Sequence, residues 1–272
     1  MEIMVGAVSD KGNIKEINQD NFLAQICVGT NGDEGIFIMC DGMGGLSKGE
    51  VASTKAVHGF KEWFDINFSS LNPNSSADDI LCDLSQVLEK VNKEIIGYGL
   101  SISERVGTTT SVLLIWNNNF YIVHVGDSRI YRLDKQLNQL TEDHTYVAMR
   151  VKNKLMTKEE AKVNSKKNVL TQCVGVKEYI DIFKTSGKIS GKEIFILCSD
   201  GFYNKLTEKE IVQALYNNGE INNDTLQETA AELVDKVMSR AERDNISVML
   251  VGLNGRNEKL GVKINRFLNV FK

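Results

Sequence analysis

Residues 108–133 limit the fold more than any other part of this chain. They contain three apolar runs, 108–116, 120–125 and 128–133, divided only by Asn117-Asn118-Asn119 and Gly126-Asp127. Turns that tight between period-two runs read as a β-meander. Further runs at 3–9, 21–28 and 35–40 come before it, and others at 180–185, 193–198 and 245–253 after it. A hairpin turn is expected at Asn31-Gly32-Asp33, and Gly187 and Gly191 are expected in the turn before residue 193. Helices are expected at 50–64 and 78–98. Val51, Ala52, Ala56, Phe60 and Phe64 form one 3.6-residue stripe, and Ile80, Leu81, Leu84, Val87, Leu88 and Val91 form the other. Two more are expected at 207–216, where Thr207 and Glu210 have capping-box spacing, and at 225–241.

Strands therefore cluster instead of alternating with helices, which argues against a doubly wound parallel sheet. The predicted class is α+β: a four-layer αββα sandwich, two antiparallel sheets each covered by a helix pair. Residues 135–167 are polar and read as a surface excursion with one short helix at 157–163, capped by Thr157 with Glu160 three residues on. One domain is expected over 1–254, with a basic amphipathic extension at 255–272. Ile264, Phe267, Leu268 and Phe271 give that tail an apolar helical face, expected to pack on its own domain.

Composition excludes several classes. A net charge of −4 and 25% charged residues supply no basic field for nucleic acid. No apolar run reaches the length of a membrane span, and the N-terminus lacks the pattern of a signal peptide. The five cysteines show no C-x-x-C spacing, which predicts reduced, buried thiols in a cytoplasmic protein. None has an arginine six residues on, as a cysteine phosphatase would need. Three histidines without a pair at ligand spacing speak against zinc.

The chemistry-bearing pattern is acidic. Asp41 follows the apolar run 35–40 and opens Asp41-Gly42-Met43-Gly44-Gly45. Asp200 repeats the arrangement before Gly201, Asp20 and Asp244 precede strands, and Asp127 stands in a strand-to-strand turn. Each alone is an ordinary turn residue. Gathered at one rim they would repel unless cations neutralised them, and an all-oxygen set selects Mg²⁺ or Mn²⁺.

The ordered motifs make the pattern specific. They are Asp10-x-Gly12-x-x-Lys15-x-x-Asn18-Gln19-Asp20, DGMGG with Gly49-Glu50-x-Ala52-Ser53, and Gly107-Thr108-Thr109. Then come Val125-Gly126-Asp127-Ser128-Arg129, Leu140-Thr141-x-Asp143-His144, Asn168-Val169-Leu170-Thr171, Ser199-Asp200-Gly201 and Asp244-Asn245. The series resembles the bacterial branch of the metal-dependent protein phosphatases (type 2C, PPM family). The resemblance implies hydrolysis of phosphoserine and phosphothreonine in proteins at a centre of two Mn²⁺ or Mg²⁺ ions. It implies that Asp41 bridges the metals, that the Gly42 carbonyl holds one, and that Asp200 and Asp244 hold the other. Asp20 would support a metal-bound water, and Asp127 with Asp200 would hold a third, weaker metal. Phosphoprotein substrates of a Ser/Thr kinase and a monomeric, cytoplasmic enzyme without a membrane partner are implied with it. The excursion from Thr145 to Lys167 matches the family's flap, which predicts a role in substrate choice. Lys15 stands where the family usually has a phosphate-binding arginine. A lysine donates as a point charge without the bidentate fork, which predicts weaker phosphate binding. Met43 replaces a histidine of eukaryotic relatives, as is common in bacterial members. Two other readings stay open: a phosphoprotein-binding pseudophosphatase, and a serine hydrolase using Ser47 of Gly45-Leu46-Ser47-Lys48-Gly49.

Overall fold

A computed structural model describes residues 1–29, 32–43, 48–217 and 220–255, together with the backbone of 267–270. Its strands are β1 (Glu2–Asp10), β2 (Asn21–Gly29), β3 (Gly32–Cys40), β4 (Thr110–Trp116), β5 (Asn119–Val125), β6 (Arg129–Leu133), β7 (Leu137–Gln139), β8 (Phe183–Lys188), β9 (Glu193–Cys198), β10 (Ile246–Asn254) and β11 (Phe267–Val270). Its helices are α1 (Gly49–Asn67), α2 (Ala77–Ser101), α3 (Tyr146–Lys152), α4 (Lys158–Val163), α5 (Asp200–Tyr203), α6 (Glu208–Asn217) and α7 (Asn223–Ser239). One sheet has the order β1-β10-β9-β6-β7 and the other β11-β2-β3-β4-β5-β8. Every strand pairing is antiparallel.

Four layers follow from where the strands send their side chains. On β3, Phe37 and Met39 point between the sheets, where they meet Leu113, Phe195 and Met249. Ile36, Ile38 and Cys40 point the other way, onto Phe60, Phe64, Leu84 and Leu88 of α1 and α2. The second sheet does the same with Ile196, Val248 and Leu250 against Leu233, Val234 and Val237 of α7. Strands buried on both faces are apolar almost throughout, which explains the continuous runs in the sequence. The outer edge of β1 is covered too. Asn223 Oδ1 accepts from the Val5 amide at 2.8 Å and Gln227 Oε1 from the Ala7 amide at 2.9 Å, so α7 blocks edge pairing there.

Several expectations need correction. Residues 267–270 are a strand on β2, with Phe267 opposite Cys27, and not part of a helix. The predicted strand at 180–185 is shifted to Phe183–Lys188, so Gly187 lies inside it and not in the turn. A side chain at Gly187 would strike the Phe120 ring at 2.7 Å, a close approach that favours glycine in a strand. Gly32 and Asp33 already belong to β3, while Thr30 and Asn31 lie outside the described residues. The polar excursion holds β7 and α3 as well as the expected α4 with its Thr157–Glu160 capping box. Its base is closed: Thr145 and Leu170 form a β-bridge, and the Tyr146 amide donates to the Val169 carbonyl at 2.8 Å.

Candidate active site

Strand register brings all five aspartates to one end of the sandwich. Asn21 at the start of β2 faces Cys40 at the end of β3, so Asp20 and Asp41 are the next residues out on neighbouring strands. Val125 ends β5 opposite Thr110, and Arg129 starts β6 opposite Cys198. Gly126-Asp127 crosses from one sheet to the other at that end, so the expected three-strand meander is only the β4-β5 hairpin: β6 pairs with β9 and β7, because the turn changes layers instead of folding back. Cys198 also faces Val248, which sets Asp200 and Asp244 just beyond β9 and β10. The loop 11–20 returns from Asp10, opposite Ile246, and carries Lys15 across the same end.

Backbone and side-chain bonds fix these positions. The Asp41 amide donates to Thr109 Oγ1 at 2.9 Å, and its carbonyl accepts from the Thr109 amide at 2.8 Å and Thr108 Oγ1 at 2.9 Å. A Cβ on Gly42 would lie 2.5 Å from the Gly49 carbonyl oxygen and 2.6 Å from that of Gln19, so no side chain fits there. Asp20 is buried, and its Oδ2 accepts from Ser247 Oγ at 2.6 Å. Ser247 Oγ lies 2.7 Å from Ser9 Oγ, to which Asn18 donates at 3.0 Å. Asn245, next to Asp244, straps the loop: its Oδ1 accepts from the Gln19 amide at 2.9 Å, and its Nδ2 donates to the carbonyls of Lys11 at 2.9 Å and Ile17 at 3.1 Å.

The electrostatics are those of crowded like charges. Burial, then the charges of Asp20, Asp200, Asp127 and Asp244, hold the Asp41 carboxyl well above the ordinary carboxylate range. Asp200 is pushed up to about 7 by burial and then by Asp244, Asp20 and Glu242. Asp127 is raised by burial and then by Asp200 and Asp143, with Arg129 opposing. Lys15 supplies the nearby positive charge. Its Nζ lies 2.7 Å from Asp244 Oδ1. Burial lowers its affinity for a proton, but the bond and charge of Asp244, then Asp41 and Asp200, outweigh that and hold the ammonium above its usual range. No group of three acidic, histidine or cysteine side chains among the described residues is arranged to grip an ion by itself. The all-oxygen donor set, spread and only partly neutralised by Lys15, with the close-packed Gly42 backbone beside it, fits hard divalent cations that take one or two carboxylates each and keep several waters.

Similarity to known proteins agrees with this geometry. The profile of the family described as protein phosphatase 2C matches residues 13–250. The chain belongs to the protein phosphatase 2C family. It is 33% identical over 247 residues to the serine/threonine phosphatase stp of Listeria monocytogenes serotype 4b (strain F2365), covering 89% of this chain and 93% of that protein. The serine/threonine phosphatase PstP/Ppp of Mycobacterium tuberculosis superposes with a TM-score of 0.78 at 26% identity, covering 93% of this chain and 99% of the other. The catalytic domain of the phosphatase PstP solved in complex with 2 manganese ions has a TM-score of 0.74 at 25% identity, covering 93% and 99%.

Other groups in this phosphatase also find their places. Thr145 is buried and caps α3 by accepting from the Ala148 amide at 3.2 Å, whereas Lys167 is exposed, three residues before Leu170. The excursion starts beside the centre, because His144 Nδ1 accepts from the Gly126 amide at 3.2 Å. His124 is buried with both ring nitrogens engaged, by Ser111 Oγ at 2.8 Å and the Gly126 carbonyl at 3.0 Å. Burial pushes the Cys40 and Cys198 thiols up to about 12 and Cys173 to about 11, which disqualifies them as nucleophiles at neutral pH. All five cysteines are free, but Cys82 is exposed and Cys27 and Cys173 are half-buried, so the thiols are not uniformly buried as expected. Ser47 lies outside the described residues.

Sequence reasoning missed several groups. Glu242 is a further buried carboxylate near Asp200, accepting from the Arg243 amide at 2.7 Å and the Asp244 amide at 3.1 Å. Arg129 reaches Asp143 with Nε and Nη2 at 2.6–3.2 Å, donates from Nη1 to Tyr131 at 2.9 Å and lies 3.7 Å from the centre of the Tyr203 ring. Tyr203 in turn donates to the Asp127 carbonyl at 3.1 Å. Arg129, Asp143 and Asn245 stood inside quoted motifs, but only their partners reveal what they do.

Proposed function

We propose that this chain hydrolyses phosphoserine and phosphothreonine in proteins, at a centre of two Mn²⁺ or Mg²⁺ ions. The observation that carries the reading is the convergence of Asp20, Asp41, Asp127, Asp200 and Asp244 from both sheets, with three of their carboxyls raised by burial and mutual repulsion. Asp41 and the Gly42 carbonyl would hold one cation, with Asp41 shared to a second held by Asp200 and Asp244. Asp127 with Asp200 would take a third, weaker one. Two such ions would acidify an attacking water and spread the charge of the phosphoryl oxygens. Asp20, fixed by Ser247, would orient that water. Lys15 would leave Asp244 for the phosphate, donating one charged hydrogen bond where an arginine would give two.

The substrates would be products of a Ser/Thr kinase, and the enzyme would work as a monomer in the cytoplasm. No helix among the described residues is long and apolar enough to cross a membrane. The excursion between Thr145 and Lys167 would govern which phosphoproteins enter. The test is hydrolysis of a phosphothreonine peptide with Mn²⁺ and with EDTA, beside Asp200→Asn. Turnover should need Mn²⁺ and collapse in the variant. Folded protein that binds Mn²⁺ yet turns over nothing would be a pseudophosphatase, and turnover surviving EDTA would defeat the metal mechanism.

A further inference from the structure

The loop that carries Lys15 also carries two large apolar side chains that nothing in the described chain covers. Ile14 is 60% exposed and Ile17 is 57% exposed. A single exposed aliphatic residue is normal on a protein surface. These two stand on either side of the lysine at the mouth of the carboxylate centre.

The loop is held in one shape. The Gly12 amide donates to Asp10 Oδ1 at 2.8 Å, and Asn13 Nδ2 donates to the Met238 carbonyl at 3.1 Å. Asn245 binds the loop at Lys11, Ile17 and Gln19. Gly12 has φ +77°, and a Cβ there would lie 2.4 Å from the Asp244 carbonyl oxygen, so the loop presses directly on the backbone of Asp244. Ile14 and Ile17 are thus presented from a fixed backbone, and covering them requires little further ordering. Glu16 is exposed between Lys15 and Ile17 and disfavours an acidic neighbour for the phosphate.

From this arrangement we infer that Ile14 and Ile17 form a docking surface for the substrate chain, selecting phosphorylated residues that have a bulky aliphatic side chain close by in sequence. The inference rests on the phosphatase reading of the same site. With the phosphate at Lys15, an extended peptide advancing about 3.3 Å per residue brings the residues one or two places away over the isoleucines. Acidic flanks are selected against, and polar flanks leave both isoleucines wet.

Two phosphothreonine peptides differing only in their flanks, leucine and valine in one, serine and glycine in the other, test this. Wild-type kcat/KM should favour the aliphatic peptide by about tenfold, the scale expected for covering two partly exposed aliphatic side chains. In Ile14→Ser/Ile17→Ser the ratio should fall to near one. Both positions are at the surface, so the fold should tolerate the change, and a thermal melt of each single variant checks that. The same peptide pair as fluorescent, non-hydrolysable phosphonates gives a binding ratio by anisotropy. If neither peptide is turned over, the phosphatase reading fails and the anisotropy ratio alone decides the docking surface. A wild-type ratio near one, or a preference that survives the double variant, overturns it.

Discussion

Two acidic regions lie at the same end of this molecule and are treated in opposite ways. Asp143 meets Arg129 through a two-pronged ion pair and accepts a further bond from Gln139 Nε2 at 2.7 Å, while Tyr131 and Tyr203 hold Arg129 in place. Its charge is answered from within the chain. Asp41, Asp200 and Asp244 face one another with Lys15 as the nearby cation, and burial and repulsion raise Asp41 and Asp200. The first arrangement stabilises the fold as it stands. The second would be completed from outside under the proposed metal-centre reading, since crowded carboxylates hold cations best where the protein has left them poorly neutralised.

The sharpest way to break the contrast is to neutralise one member of each region. Asp41→Asn should lower phosphopeptide turnover by at least about 1,000-fold, as loss of a central electrostatic group does. The same change should raise the melting temperature of the metal-stripped protein by relieving repulsion, and a lower one would contradict the crowding. Arg129→Met should act the other way. It strands the partly buried Asp143 and should cost about 3 kcal/mol of stability, read from a denaturant midpoint.

The two regions also separate along pH. Asp200 has a folded value of about 7 against an ordinary 3.8, so the folded, metal-free chain binds the proton more tightly than the unfolded one. Its contribution to stability is therefore present below the ordinary value and is lost as pH rises through about 7. The difference in melting temperature between metal-free Asp200→Asn and wild type should grow from about pH 4 to about pH 7, and a flat difference curve would deny the shift. The smallest effect expected is at Lys15. Lys15→Arg should lower KM for the phosphopeptide by about threefold through bidentate contact, and an unchanged or higher KM would count against a phosphate role.

The layers were legible in the residues because strands buried on both faces must be apolar throughout. The aspartates were legible because each follows or precedes such a run. What escaped has particular causes. The tail has Ile264, Phe267, Leu268 and Phe271 at helical spacing, yet the edge of β2 takes 267–270 as a strand; short apolar segments are ambiguous, and the neighbour decides. Helix α5 spans four residues and is too short to show a period. Helix α3 has Val147 as its buried residue, so it had no apolar stripe to read. The Arg129, Asp143 and Tyr203 group joins residues far apart in the chain, and local patterning carries no record of a contact made only on folding.

The Thr145–Leu170 bridge gives the excursion a single doorway: the chain leaves the sandwich and re-enters it at one point. Residues 146–169 hang from that point as a cassette. The cost of closing such a loop rises only about 0.6 kcal/mol with each doubling of its length. Evolution can therefore lengthen, trim or replace the cassette without re-registering a strand or disturbing an aspartate. The architecture separates a part whose length is fixed by strand register from a part whose length is only loosely constrained.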